Sequence, residues 1–255
     1  MKKAYHLFIL TFMSYIWTII PASADLTDGL LLYFPFDEGK GEIVKDHSGN
    51  GHDGEIFEFD QVDWDEGKFG GAIAMSGKGA EKEANFDRKG RIEVRDDLGS
   101  HKSLSISVWF NDTIDGAGWN YFADFRPTGS WFARDGSQTI KFNDEGSGVP
   151  SGDYPRKEWV HLVVLANAKT TTFYINGKRT GIPGTGANLN ISTNLHVGSR
   201  FSKNESFLTH LDEWAMWDRL LTKTEISQLL EQPVIPLSVE SSGKAAITWS
   251  RIKTQ

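Results

Sequence analysis

Between residues 30 and 217, apolar and polar residues alternate in short runs broken by Gly, Asn and Asp. Leu104, Ile106, Val108 and Phe110 occupy every second position of residues 104–110, the period-two signature of a half-buried strand. The run at 159–165 is more densely apolar and reads as a central strand, and residues 30–34 suit a buried one. Residues 170–175 are rich in β-branched and aromatic side chains and end in Asn176-Gly177, the strongest short hairpin signal. Shorter strands are predicted at 72–75, 91–94, 120–125, 131–134, 139–142, 195–198 and 211–217. With no helix between them, the strands should pair antiparallel as a sandwich or barrel. One helix is predicted. Thr222 and Glu225 form a capping box, and Ile226, Leu229 and Leu230 follow at helical spacing.

Composition narrows the class. The chain has 255 residues, 39% of them hydrophobic and 12% aromatic, enough for one large domain with a real core. Lys2 and Lys3, an apolar run over 7–20 and the small-residue pattern Ala22-Ser23-Ala24 read as a secretory leader, with Asp25 as the first mature residue. The expected organisation is a signal peptide at 1–24, a β-domain at 25–232, and a linker and tail at 233–255. That tail is too short for a core of its own, so it either docks as an edge strand or trails as a flexible terminus. The location is then secreted, periplasmic or cell-surface, with no membrane span after cleavage. The formal charge of −7 becomes −9 once the two leader lysines are removed. Such a balance disfavours a nucleic-acid partner, which needs a basic footprint. With no cysteine, the chain can have neither disulfides, thiolate metal sites nor a Cys nucleophile.

The segment Asp46-His47-Ser48-Gly49-Asn50-Gly51-His52-Asp53-Gly54 is the strongest candidate for chemistry. A tight loop carrying two carboxylates, an amide and a hydroxyl can aim several oxygens at one centre, as Ca²⁺ requires. The same residues equally make a glycine-rich hairpin loop without an ion. An EF-hand is excluded, because its twelfth position is Phe57 rather than Glu.

Several segments, taken in order, resemble the laminin-G-like jelly-roll domains of the concanavalin A-like lectin/glucanase superfamily. They are GLLLYFPFDEG at 29–39, DHSGNGHDG at 46–54, GKFGGAIAMSG at 67–77, LSISVWF at 104–110, WVHLVVL at 159–165, FYING at 173–177 and LDEWAMWDRLL at 211–221. The resemblance implies an all-β fold: a two-sheet antiparallel jelly-roll sandwich, concanavalin A-like, closed by one short C-terminal helix. It implies that the first and last long strands are neighbours. It also implies a structural Ca²⁺ held by Asp46, Asn50 and Asp212 with the backbone near His47 and His52; Ser48 is a weaker candidate. By position the metal residues are therefore Asp46, Asn50, His52 and Asp212.

Members of that superfamily include glycosidases, which need two carboxyl groups flanking the sugar bond. No acid-x-acid-x-acid triplet falls on a predicted strand. Asp63 and Asp65, and the pair Asp144-Glu145, are expected in glycine-rich or loop-like sequence, and Asp212 and Glu213, being adjacent, on opposite faces of a strand. His161, within a strand, reads as structural. The chain is therefore expected to be a non-catalytic binding module for a glycan or an extracellular protein. A glycoside hydrolase and a purely structural or adhesive protein are the alternatives. Trp119, Tyr121, Arg126 and Trp131 are the candidate ligand-binding residues, since sugar sites combine aromatic faces with planar polar groups. Trp109, Trp159, Trp214 and Trp217 are expected in the core.

Overall fold

The computed structural model describes residues 25–58, 62–75, 90–113, 119–142, 148–149, 151–200 and 210–235. The leader, the tail beyond residue 235 and the acidic pair Asp144-Glu145 lie outside the described residues. In chain order the strands are β1 (Leu30–Phe34), β2 (Ile43–Val44), β3 (Gly54–Phe57), β4 (Asp63–Glu66), β5 (Gly71–Ala74), β6 (Arg91–Val94) and β7 (Ser103–Asn111). There follow β8 (Asn120–Phe125), β9 (Ser130–Arg134), β10 (Ile140–Phe142), β11 (Trp159–Asn167), β12 (Thr170–Ile175), β13 (Lys178–Thr185), β14 (Leu195–Val197) and β15 (His210–Trp217). The helix α1 (Lys223–Gln228) comes last.

The strands form two antiparallel sheets. Sheet A runs β13-β12-β11-β7-β15-β5-β4, with β1 also paired to β15. Sheet B runs β10-β9-β8-β14-β6-β3-β2. The expected neighbours meet: Phe34 lies opposite Trp214 and Leu30 opposite Trp217. This is the jelly-roll sandwich expected from the sequence.

Alternation explains the layers. Ile106, Val108 and Phe110 of β7 and Val160, Leu162 and Val164 of β11 point inward, where they meet Phe122, Phe125, Phe132, Leu195 and Val197 of sheet B. Phe122 and Phe132 stack at 4.5 Å between centroids. Burying that apolar surface is the main favourable term of folding. A smaller cluster covers the outer face of sheet A. There Tyr33, Val163, Tyr174, Ala215 and Trp217 pack under Leu26, Ile226, Leu229 and Val234. The Trp217 indole donates to the Leu26 carbonyl at 2.7 Å. The capping box of α1 is formed in both directions between Thr222 and Glu225. Trp109, Trp214 and Trp217 are buried as expected, whereas Trp159 is half-buried.

Three features differ from expectation. The short strands β2, β3 and β4 and the exposed strand β13 are not among those predicted. Asp63 and Asp65 stand on one of them, the edge strand β4, rather than in a loop. Trp64 between them packs against the core, so the two carboxylates face outward, and Asp65 meets His210 at 3.2 Å. Thirdly, β15 is not regular. Asp212 lies opposite Trp109 and Ala215 opposite Ser107, so one extra residue bulges out between them. Glu213 sits there with φ of 52°, a left-handed conformation unusual for Glu. As Leu211, Trp214 and Met216 point into the core, Asp212 and Glu213 both face outward, on the same side.

On that outer face His161 is fully buried, its Nε2 2.8 Å from the Ser107 hydroxyl and its ring 5.0 Å from that of Trp109. Burial lowers its pKa to about 3. The folded chain therefore holds His161 neutral at pH values where the unfolded chain protonates it. Its stabilising contribution is complete above about pH 6.5 and is lost as pH falls toward 3. Chemical denaturation across this window should lose about 1.4 kcal/mol per pH unit from this one group. His161→Gln should flatten the profile by that amount; an unchanged slope in the variant would reject the assignment.

Candidate functional site

The loop at residues 46–54 is closed by its own carboxylate. Asp46 Oδ1 accepts from the amides of Tyr33 at 3.1 Å and Ser48 at 2.9 Å. Its Oδ2 accepts from the Ser48 hydroxyl at 2.8 Å and the His52 amide at 3.0 Å. An ionised carboxylate offers about four lone-pair sites, and these bonds use them. Asn50 Nδ2 donates to the carbonyls of Leu30 and Leu31 at 2.8 and 3.0 Å, stitching the loop onto β1. His52 turns its Nδ1 to Asp96 at 2.9 Å.

Asp212 is engaged elsewhere. Its Oδ2 accepts from the amides of Lys68 and Phe69 at 2.7 and 2.9 Å, gripping the turn at residues 67–71. Only glycine fits at the start of that turn: a Cβ on Gly67 would lie 2.0 Å from the Gly71 carbonyl oxygen and 2.7 Å from Asp212 Oδ2. At the other end of the turn, the Gly71 amide donates to Asp37 at 2.6 Å. Asp212 Oδ1 is buried and makes no hydrogen bond. Glu213 accepts from the Tyr33 hydroxyl at 2.8 Å and the Val234 amide at 3.1 Å. Burial pushes Asp212 up to about 8 and Glu213 up to about 7, against the pull of those donors. Asp46, Asn50 and His52 thus bond within the loop, to β1 and to Asp96, while Asp212 bonds the turn at residues 67–71. Among the described residues no three His, Asp or Glu side chains converge as metal ligands.

The outer face of sheet B holds the other candidates, and they do meet. Trp119 stacks on Tyr121 at 5.9 Å and meets Trp131 edge-on at 5.2 Å; Tyr121 and Trp131 are 6.2 Å apart. A bulge in β8 makes this possible. Tyr121 lies opposite Ala133 and Ala123 opposite Phe132, so Phe122 and Ala123 both serve the core. Tyr121 and Asp124 are thereby brought to one face, which strict alternation would forbid. Arg126, two residues on, pairs with Asp124 at 2.9 Å. Trp119 and Trp131 are half-exposed, while Tyr121 is buried beneath them.

Register extends this face into a polar row across five strands. Glu55 lies opposite Glu93, Glu93 opposite His196, His196 opposite Asp124, and Asp124 opposite Trp131. Arg91 grips Glu93 at 2.7 Å, and Arg95 reaches Glu93 at 3.1 Å and Glu55 at 3.2 Å. Burial pushes the Glu93 carboxyl up, but the hydrogen bond and charge of Arg91, with Arg95, hold it below the usual carboxylate range. Burial lowers His196 to about 4. These members escaped the sequence reading because they come from distant strands. The alternation Arg91, Glu93, Arg95 was the signal that could have found them.

A family model described as the concanavalin A-like lectin/glucanases superfamily matches residues 86–227, more than half of the chain. The chain belongs to this superfamily. Within this lectin/glucanase-type sandwich, the matched span holds the Trp119–Trp131 cluster, the polar row from Glu93 to Trp131, and Asp212; the loop at residues 46–54 lies before it. Solved structures share the fold. Domain 4 of AbnA, a GH43 extracellular arabinanase from Geobacillus stearothermophilus solved with arabinotriose, superposes with a TM-score of 0.61 at 19% identity, over 79% of this chain and 98% of that domain. The binding domain of Paraclostridial Mosquitocidal Protein 1 gives 0.58 at 18% identity, over 80% of this chain and 52% of that one. The binding domain of botulinum neurotoxin DC, in complex with SialylT, gives 0.53 at 14%, over 80% and 51%. The chain spans about half the length of the two toxin domains. No curated protein matches it.

Proposed function

We propose that this chain is a non-catalytic carbohydrate-binding module that acts outside the cytoplasm. The observation that carries the reading is the Trp119–Tyr121–Trp131 platform with the Arg126–Asp124 pair at its edge. Half-exposed indoles offer flat apolar faces to the C–H side of a sugar ring, and a paired guanidinium and carboxylate offer donors and acceptors to its hydroxyls. Two structurally similar domains were solved with arabinotriose and with SialylT, which fits a sandwich used for glycans. Binding is favoured over hydrolysis by the state of the row's carboxylates. Glycoside hydrolysis needs one carboxylic acid that keeps its proton. Here Glu93 and Asp124 each hold an arginine. A glycan array should find a ligand, and Trp131→Ala should weaken its binding by about tenfold or more at an unchanged melting temperature. Binding to no glycan would favour the adhesive alternative, and turnover of a polysaccharide panel the enzymatic one.

A structural calcium ion is part of the same proposal, at different atoms from those first expected. The Asp46 loop is a poor fit, since that carboxylate's lone pairs are filled by the loop. Asp212 fits better: its Oδ1 is buried without a hydrogen bond, and two adjacent buried carboxyls want a cation. Asp37 and the carbonyls of the turn at residues 67–71 are the further oxygens at hand. When bound, the ion would neutralise the acids and tie β1, the turn and β15 together. Removing calcium with a chelator should lower the melting temperature by about 5–10 °C relative to calcium about 100-fold above its dissociation constant. Asp212→Asn should abolish that difference. Asp46→Ala should lower the melting point equally with and without calcium. If Asp46→Ala removes the calcium response and Asp212→Asn keeps it, the first assignment is restored. For the leader, N-terminal sequencing of exported protein should begin at Asp25; an intact Met1 would refute cleavage.

A further inference from the structure

We propose that the outer face of sheet B takes an uncharged glycan rather than one bearing carboxylates, a specificity that rests on the platform reading above. Five cations flank the platform and the polar row: four already hold a carboxylate of this chain, and the fifth, Arg200, lies over the Tyr121 ring at 5.6 Å. Arg126 has Asp124 at 2.9 Å, Arg91 has Glu93 at 2.7 Å, Arg95 has Glu93 and Glu55 at 3.1 and 3.2 Å, and Lys141 has Asp135 at 2.7 Å. Lys141 also lies over the Trp119 ring at 5.8 Å, at the mouth of the aromatic cluster.

At these four cations a ligand carboxylate would either press its charge against the carboxylate already held or displace it. Asp124 is 2% exposed and Glu93 9%, so neither can follow its lost charge into water. Removing the partner of a buried charge is strongly unfavourable. The chain's net charge of −7 adds a general repulsion toward anions. A sugar hydroxyl meets no such barrier. It donates and accepts at once, so it can bridge a guanidinium and the neighbouring carboxylate without breaking the pair. The alternation of arginine and carboxylate along the row repeats that opportunity beside Trp131. Strands about 4.8 Å apart place Glu93 and Asp124 roughly 10 Å from each other at the backbone, room for more than one ring.

The test titrates the full-length mature chain with neutral pentose and hexose oligosaccharides and with chains of equal length that carry a uronic or sialic acid. Neutral sugars should bind at least about tenfold more tightly. Their affinity should change less than about twofold between 0.05 and 0.3 M NaCl, since no net charge is exchanged. Asp124→Asn, which leaves Arg126 without its carboxylate, should narrow the preference toward acidic sugars. Equal or tighter binding of the acidic sugars, abolished by Trp131→Ala, would overturn the specificity and leave the platform standing. Absence of binding to either class would overturn both. If Asp124→Asn does not fold, the salt dependence of the unaltered chain decides.

Discussion

The structure depends on one strand being buried on both faces. β15 has β7 along one side, and β5 and then β1 along the other, so it joins the beginning of the domain to its end. Its inward residues Leu211, Trp214 and Met216 fill the main core, and its outward residues Ala215 and Trp217 lie beneath α1. A strand held this way has no solvent face on which to place a charge. Yet it carries Asp212 and Glu213, exposed 0% and 4%. The bulge gathers both acids on one side, where a turn of backbone amides, a tyrosine hydroxyl and the Val234 amide can answer them. Placed on opposite faces, one of them would have entered the apolar core, a far costlier arrangement.

A second bulge does the same work on the other sheet. In β8 it turns Phe122 and Ala123 together into the core and releases Tyr121 and Asp124 together to the surface. The two irregularities therefore create two polar sites, one hidden and one half-open. Register also shifts in the β1–β15 and β12–β13 pairs, while β7 and β11 pair without a break over nine residues.

Sequence patterning gave the frame well where strands are long. β7, β11 and β12 are legible because each presents several alternations, and the Asn176-Gly177 turn adopts positive φ at both residues, as the hairpin requires. β2, β3 and β4 were missed because they hold few apolar residues beside polar and glycine-rich sequence, and β13, which buries none of its residues, was marked only by the turn before it. The platform was legible as a cluster because β8 and β9 form one hairpin, so residues near in sequence stay near in space. The acid pair was misread because alternation assumes a regular strand, and no residue type in Asp212-Glu213-Trp214 announces a bulge. The Asp46 loop shows a different limit. Oxygen-rich side chains suit a cation and suit the loop's own amides equally well, so residue type alone does not separate the two uses.

The two ends of the domain emerge on the same side. Leu26 and Val234 both pack on the outer face of sheet A, next to α1, whereas Trp119 and Trp131 lie on the far side of the sandwich. Any neighbour joined in line with the chain, at either end, would therefore be tethered behind sheet B, leaving the aromatic platform free to point outward like the palm of a hand held at the wrist.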